Sequence, residues 1–209
     1  TLSLPAITSY SHTVGTLQDN VLLRATGAGS VLDLPNVTTV TGGNDGNDLL
    51  QIQALGGGQI NLSQLTQLIV PTGGNEAGRS ISVQADGSAA GTGSRIDLSL
   101  LPTFTDNNIA GINFGNAGRS ALTATNGGII HAPVLTTIAG MELTRDASGS
   151  IPLAQLQTIS GVSNVNITGG TATFTNATTL DGSSFIASGG ATLSLPAITS
   201  YSHTVGTLQ

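Results

Sequence analysis

Residues 31–40 of this chain read VLDLPNVTTV. Two leucines flank the polar Asp33, and this alternation is typical of a strand with one buried face. Apolar residues then recur three and six positions after Leu34, which breaks the alternation and indicates a bend. A proline follows Leu34 directly; because proline donates no backbone hydrogen bond, it favours a corner over the middle of a strand. The stretch therefore predicts a strand that ends at a corner.

The same pattern occurs eight times along the chain, and we call the residue aligned with Leu34 in each row the anchor. The anchors are Leu4, Leu34, Leu62, Leu98, Ala132, Leu153, Phe174 and Leu195. Their spacings are 30, 28, 36, 34, 21, 21 and 21 residues. No single unit of this size has enough apolar residues for a core of its own. Stacked units would align the anchors into one continuous apolar ladder, as in a solenoid.

A glycine stands four or five positions before nearly every anchor. These turn glycines are Gly29, Gly57, Gly93, Gly127, Gly149, Gly169 and Gly190. A glycine at a fixed place in each repeat predicts a turn that requires positive φ. A second strand-like run precedes each turn, for example LQIQALGG at residues 50–57. Each repeat is thus predicted to hold two strands and a glycine turn.

The first four repeats are longer because each has an insertion at the same place, after the anchor strand. The insertions are residues 11–20, 41–48, 69–80 and 105–119. Insertions at one point of a repeat map to one edge of a solenoid. The fold class we predict is all-β: a parallel β-solenoid of about seven coils, with short 21-residue coils towards the C-terminus. A leucine-rich horseshoe is the alternative, but asparagine does not recur at one register and the return segments are poor helix formers.

The two ends of the sequence are identical. Residues 1–18 and 192–209 both read TLSLPAITSYSHTVGTLQ, which defines a period of 191 residues. We therefore predict that 1–209 is a single solenoid segment, in which 1–191 is one period and 192–209 begins the next. A duplicated cap is the alternative. The absence of an initiator methionine and of a signal peptide favours a fragment from inside a longer tandem array.

The composition excludes several classes of protein. Only 8% of the residues are charged, the net charge is −6, and all five basic residues are arginines. Nucleic-acid binding needs clustered cations, and no apolar run is long enough to span a membrane. There is no cysteine for disulfides or thiolate metal sites. With three histidines and 3% aromatic residues, we predict no enzymatic activity and no cofactor.

The rows LDLPNVTTV, LSLPAITSY and HAPVLTTI, with their Gly-Gly turns, resemble the β-strand repeats of very large bacterial surface proteins. They are similar in style to filamentous-haemagglutinin-type adhesins and other β-helical passenger domains. The resemblance covers the whole chain but carries no catalytic motif. It implies an exported, elongated protein of the cell surface. We expect a stiff structural repeat of an extracellular filament, stalk or giant adhesin, whose partners are copies of itself in tandem or end to end.

The insertions offer an alternative function, a ligand-binding edge for glycans or other surface proteins. The segment TGGNDGND at 41–48 overlaps the style of calcium-binding nonapeptides, whose carboxylates and turn carbonyls suit a hard cation. Stacked insertions would place Asp45, Asp48 and Glu76 on one side, together with Asn44 and Asn75. The motif occurs only once, so solvated Asx turns are the favoured interpretation.

Three further patterns suggest catalysis, metal binding or ice binding, but each of them favours a structural explanation. Asp33 and Asp97 share a column two coils apart, roughly 10 Å, which is near the ~6.5–9.5 Å separation of an inverting glycosidase pair, but Asn61 stands between them. His12 (repeated as His203) and His131 lack a second ligand nearby, which favours hydrogen bonding over metal binding. Threonine-rich faces suggest ice binding, but adjacent threonines such as Thr38 and Thr39 are expected to alternate in direction, so that one of them points inward or to a corner. Threonine and serine columns are instead predicted to form hydroxyl ladders between coils.

Overall fold

The structure, a computed structural model, describes residues 1–12, 19–73, 78–87, 93–107, 118–161, 163–180 and 182–202. These residues form strands and turns and no helix. Accordingly, no helix in this part of the chain is long and apolar enough to cross a membrane. All the strand pairs are parallel, and they build three long sheets that lie side by side. The prediction of an all-β parallel solenoid is confirmed.

Each of the first five coils contributes one strand to each of three faces, not two strands as the sequence indicated, whereas coils 6 and 7 contribute two strands each. The first face contains β1 (Leu2–Ser3), β4 (Val31–Asp33), β7 (Gln59–Asn61), β10 (Arg95–Asp97) and β13 (Ile129–His131). The second contains β2 (Ser9–Ser11), β5 (Thr39–Thr41), β8 (Gln67–Ile69), β11 (Thr103–Thr105), β14 (Thr137–Ala139) and β16 (Thr158–Ser160). The third contains β3 (Asn20–Thr26), β6 (Leu49–Leu55), β9 (Ser80–Asp86), β12 (Ala121–Thr125), β15 (Glu142–Asp146), β17 (Asn164–Thr168) and β19 (Ser184–Ser188). A separate pair, β18 (Thr171–Thr173) and β20 (Thr192–Ser194), joins the seventh coil to the start of an eighth.

The third strand arises because the anchor row splits into two strands at a corner. In coil 2 the backbone N–H of Val37 donates to the carbonyl of Leu34 at 3.3 Å, which closes a β-turn with Pro35 at its second position. Proline is preferred there because its fixed φ suits the turn. Leu65 and Leu62 form the same bond in coil 3, at 3.0 Å. The bend after the anchor therefore turns the chain from the first face to the second.

The core consists of ladders of apolar side chains that run along the stack. On the first face Leu32, Ile60, Ile96 and Ile130 lie in register on successive coils. The anchors from Leu34 to Phe174 are also buried. Since buried apolar area is the main favourable term in folding, each coil is stabilised chiefly by its two neighbours.

The turn glycines divide into two groups. Positive φ occurs at Gly29, Gly57, Gly127, Gly169 and Gly190. Gly93 and Gly149 do not have positive φ, so the predicted reason for glycine is wrong at these two positions. At Gly149 the requirement is space, because a Cβ atom would lie 2.0 Å from the carbonyl oxygen of Ala124.

The threonine hydroxyls do not hydrogen-bond to one another, as the predicted ladders would require, but to backbone carbonyls. The hydroxyl of Thr38 donates to the backbone carbonyl of Thr8 at 3.3 Å, and that of Thr66 donates to the carbonyl of Thr38 at 3.1 Å. Thr136 makes the same kind of bond to Pro102. These side chains therefore tie each coil to the backbone of the preceding one.

Candidate functional site: the end of the coil stack

Coil 1 presents an apolar surface on the side away from coil 2. Leu2 and Leu4 are 56% and 39% exposed, and Leu22 on β3 is 46% exposed. With Ile7 and Tyr10 they line a hollow of about 220 Å³. The positions of coils 2 to 6 that correspond to Leu2 and Leu4 are buried. Among the described residues, this side of coil 1 is therefore not covered.

A second copy of the same sequence lies at the opposite end, stacked on coil 7. Strand β20 pairs with β18, so that Leu193 lies beside Ala172 in parallel register. The N–H of Phe174 donates to the carbonyl of Ser194 at 2.9 Å. Leu193 and Leu195 are partly buried there, whereas their sequence equivalents in coil 1 are exposed.

The two copies of the segment make their contacts on opposite sides. The first copy pairs with the coil that follows it, and the second copy pairs with the coil that precedes it. In the first copy, the N–H of Leu4 donates forward to the carbonyl of Asp33 on coil 2, at 3.0 Å. In the second copy, the carbonyl of Ser194, equivalent to that of Ser3, accepts from coil 7. One segment can thus pair with coil 7 on one side and coil 2 on the other. This arrangement would continue the stack without a break.

Asp33 lies in a polar column on the outer surface of the first face. Its carboxylate accepts from the hydroxyl of Ser3 and from the side-chain amide of Asn61, each at 2.7 Å. These two hydrogen bonds stabilise the carboxylate and lower the pKa of Asp33 below its ordinary value. The hydrogen bonds therefore keep Asp33 ionised.

Asp97 occupies the same column two coils away. Partial burial alone would raise its pKa, but hydrogen bonds from Ser99 and Arg95 and the positive charge of Arg95 outweigh the burial and lower the pKa. The guanidinium of Arg95 lies 2.9 Å from the Asp97 carboxylate. With Asn61, these two residues line a shallow groove of about 330 Å³ over β7. Both carboxylates of the column are held in the ionised form.

These carboxylates make the stability of the fold depend on pH. Partial burial of Asp146 would raise its pKa, but N–H donors including those of Asn126 and Gly149 outweigh it, so that the pKa of Asp146, like those of Asp33 and Asp97, is lowered. A lowered folded-state pKa stabilises the fold above the unfolded value of about 3.9, and this contribution is lost as the pH falls through the lowered pKa. We expect the melting temperature to fall by several degrees between pH 6 and pH 2. Asp146→Asn should lower it at pH 6 and change it little at pH 2; equal melting of the wild type at both pH values would contradict this.

The predicted calcium-binding residues are engaged in backbone hydrogen bonds. Asp48 is fully buried, and its carboxylate accepts from the N–H groups of Asp19 and Asp45 at 3.1 and 2.9 Å. The Asp45 carboxylate accepts from the N–H of Gly46. Glu76 lies outside the described residues. Within the described ranges, no group of three or more His, Asp or Glu side chains could hold a metal ion.

The two described histidines, His12 and His131, belong to no group of side chains that could hold a metal ion. His12 is 2% exposed, and neither of its ring nitrogens bonds to any described residue, unlike the surface or inter-coil hydrogen bond that the sequence favours. His131 lies in the outer polar column beside Asp97. His203 is outside the described residues.

The second face carries outward threonines in rows. Thr39 and Thr41 both lie on the outer side of β5, and Thr103 and Thr105 do so on β11, while the residue between each pair is buried. Thr38 precedes the strand and lies at the corner, as expected for one threonine of the adjacent pair. Between the two rows, β8 places Gln67 and Ile69 at the corresponding positions, so the threonine array is interrupted.

Comparison of the chain with protein-family models, with curated proteins and with solved structures gave no match in any of the three. The interpretation of the site therefore rests on its own geometry.

Proposed function

We propose that this chain is a structural module of a stiff extracellular rod, of the kind that forms a filament, a stalk or the shaft of a giant surface adhesin. In this proposal successive 191-residue periods continue as one uninterrupted stack of coils. The rod transmits mechanical force along its axis and fixes the distance between its two ends. Its rigidity comes from backbone hydrogen bonds and apolar ladders between neighbouring coils.

The observation that carries the proposal is the pair of identical segments. The first copy pairs with coil 2 through Leu4 and Asp33, and the second pairs with coil 7 through Phe174 and Ser194. The apolar hollow of coil 1, open on one side, corresponds to the side of the second copy that packs on coil 7. A tandem array would fill this hollow once in every period.

The polar outer column supports a structural role over an enzymatic one. A glycosidase needs one carboxylic acid with a raised pKa to protonate the leaving group. The pKa values of Asp33 and Asp97 are both lowered, so neither carboxyl is suited to donate a proton at neutral pH. Their hydrogen bonds to neighbouring side chains suit a role in fixing the coils.

The proposal is tested with a chain of two periods, residues 1–191 followed directly by residues 1–209. Because one period adds seven coils, the rod should lengthen by roughly 34 Å at about 4.8 Å per coil. Its cross-section should stay the same. Small-angle X-ray scattering measures both quantities, and electron microscopy gives the length independently.

The matched control carries Leu195→Asp at the internal joint only. It should separate the two periods into units that move independently, with a broader distribution of lengths. If the unsubstituted two-period chain also behaves as two jointed units, the continuous rod is disproved.

A further inference from the structure

We infer that the groove over β7, on the first face, is a binding site for a neutral saccharide. The groove has a volume of about 330 Å³, which lies at the lower end of the range of roughly 300 to 1,000 Å³ for small-ligand sites. Side chains of coils 2, 3 and 4 line it: Val31, Gln59, Asn61, Ser63, Arg95 and Asp97. The inference goes beyond the proposed function, because a purely mechanical rod needs no ligand.

The strand register places the polar side chains of the groove on a regular grid. Gln59 and Asn61 lie on the outer side of β7, while Ile60 between them is buried. On the next coil, Arg95 lies beside Gln59 and Asp97 lies beside Asn61. Neighbours on the grid are roughly 7 Å apart along a strand and about 4.8 Å apart between coils. A ligand with polar groups at short intervals can therefore contact several of these side chains at once.

Two side chains of the groove carry hydrogen-bonding groups that the fold does not use. The side-chain amide of Gln59 is exposed and bonds to no described residue, so its two N–H donors and its carbonyl oxygen are available. The Arg95 guanidinium donates through Nη2 to Asp97 at 2.9 Å and to no other described residue. Because a guanidinium has five N–H donors, most of them remain available to a ligand.

Acceptors lie next to these donors. The Asp97 carboxylate accepts from Ser99 through Oδ1 and from Arg95 through Oδ2, which leaves one lone pair on Oδ2. The Asn61 amide donates one N–H to Asp33 and accepts from the N–H of Ser63, so it retains one donor and one acceptor position. A hydroxyl group both donates and accepts. A sugar ring with neighbouring hydroxyls therefore matches the mixed donors and acceptors of the groove.

The charges of the groove favour an uncharged ligand. The positive charge of Arg95 is balanced by Asp97, 2.9 Å away. Asp33 lies beside Asn61 on the preceding coil, and the lowered pKa values of Asp33 and Asp97 keep both carboxylates ionised at neutral pH. An anionic ligand would meet these two carboxylates, and a cationic ligand would meet Arg95. Val31 and the aliphatic part of Arg95 can contact the C–H groups of a sugar ring.

The proposed rod would repeat this groove along its length. A shallow groove holds a single saccharide weakly, because the few contacts must offset the entropy lost on binding. In a tandem array the groove would recur every seven coils, roughly every 34 Å at about 4.8 Å per coil. Several grooves on one rod would then bind one polysaccharide with higher avidity. Only this gain in avidity rests on the proposed function.

Affinity electrophoresis of the 209-residue chain tests the site. The net charge of −6 carries the protein through native gels at neutral pH, and the gels contain mannan, galactan, a soluble β-glucan or the acidic polygalacturonate. At least one neutral polysaccharide should retard the chain, and polygalacturonate should not. Gln59→Ala removes an unused amide and should weaken the apparent affinity about fivefold or more, as expected for the loss of one or two hydrogen bonds.

The matched control is Gln67→Ala, which removes an exposed glutamine from the second face of the same coil. It should be retarded as strongly as the wild type, and thermal unfolding should show that all three proteins are equally stable. The inference is overturned if no neutral polysaccharide retards the chain, if polygalacturonate retards it as strongly, or if Gln59→Ala binds like the wild type. Because this test needs only one period, a negative result leaves the continuous rod standing, and a jointed two-period chain leaves the groove standing.

Discussion

The Leu98→Asp variant should lose about 4 kcal/mol or more of its unfolding free energy, because the substitution leaves an unpaired charge in the core. Leu98 is fully buried at the centre of the anchor ladder. Its N–H donates to the carbonyl of His131 at 2.8 Å, and its carbonyl accepts from Leu101 at 3.1 Å. A carboxylate there cannot reach water without breaking the turn. Because coils in a stack depend on their neighbours, the loss should spread to adjacent coils.

The matched control for this variant is Leu100→Asp. Leu100 lies in the same turn, two residues away, but is 43% exposed. Surface substitutions usually change stability by less than about 0.5 kcal/mol. Thermal and urea unfolding of the two variants should therefore differ sharply. Equal melting of Leu98→Asp and the wild type would mean that the anchor column does not face the core.

The core ladders could be predicted from the sequence because every coil repeats one environment. Leu34, Leu62 and Leu98 recur with polar residues before them, and a period of two fixes which side chains point inward. The corner after each anchor could also be predicted, from the three-residue spacing of the apolar residues that follow the anchor and from the proline next to it. What the pattern could not show is that this corner divides the row between two faces, which adds a third strand to each of the first five coils.

The direction of the threonines depended on that same corner. Thr38 and Thr39 are adjacent in sequence, but only Thr39 belongs to β5. Alternation holds within a strand and not across its end, and Thr38 lies at the corner, as expected for one member of this pair. The bonds of Thr38 to the neighbouring backbone could not be read from residue types.

The third face contains a residue that no pattern predicted. Arg145 lies in register between Ala124 and Ile167, two side chains that are fully buried. Its guanidinium reaches the carbonyl of Thr171 at 2.6 Å. The long aliphatic part of arginine can cover apolar surface while its charged end leaves the core. Arginine can occupy such an apolar position only where its charged end can leave the core nearby. The sequence does not reveal where this is possible.

The insertions were the other place where the sequence was insufficient. Their glycines, asparagines and aspartates indicated an open edge, with Asp45, Asp48 and Glu76 as candidate ligands. In the described part of the insertions, Asp48 is instead buried and bonded to two backbone N–H groups. Turn-forming sequences specify neither which groups meet nor how deeply they are buried.

The Arg79→Ala variant should lose about 3 kcal/mol or more, because it removes the hydrogen bonds of a buried, charged guanidinium, and each bond of this kind contributes roughly 1.5 to 3 kcal/mol. Arg79 is 1% exposed, at the corner just before β9. Its guanidinium donates to the carbonyls of Pro71 at 2.6 Å, Asn44 at 2.6 Å and Gly73 at 3.1 Å. It therefore ties the insertion of coil 2 to the insertion of coil 3.

Two further variants separate this bridging role from charge alone. Arg24→Ala removes an arginine whose guanidinium bonds only to the side chain of Gln53 among the described residues and which is exposed; it should change the unfolding free energy by less than about 1 kcal/mol. Arg79→Lys keeps the positive charge but loses the planar fork that reaches several carbonyls at once, so it should recover only part of the loss. If urea unfolding of Arg79→Ala matches that of Arg24→Ala, the insertions are not held together by Arg79. A large loss would instead make this side chain the reason that the long coils stack as regularly as the short ones.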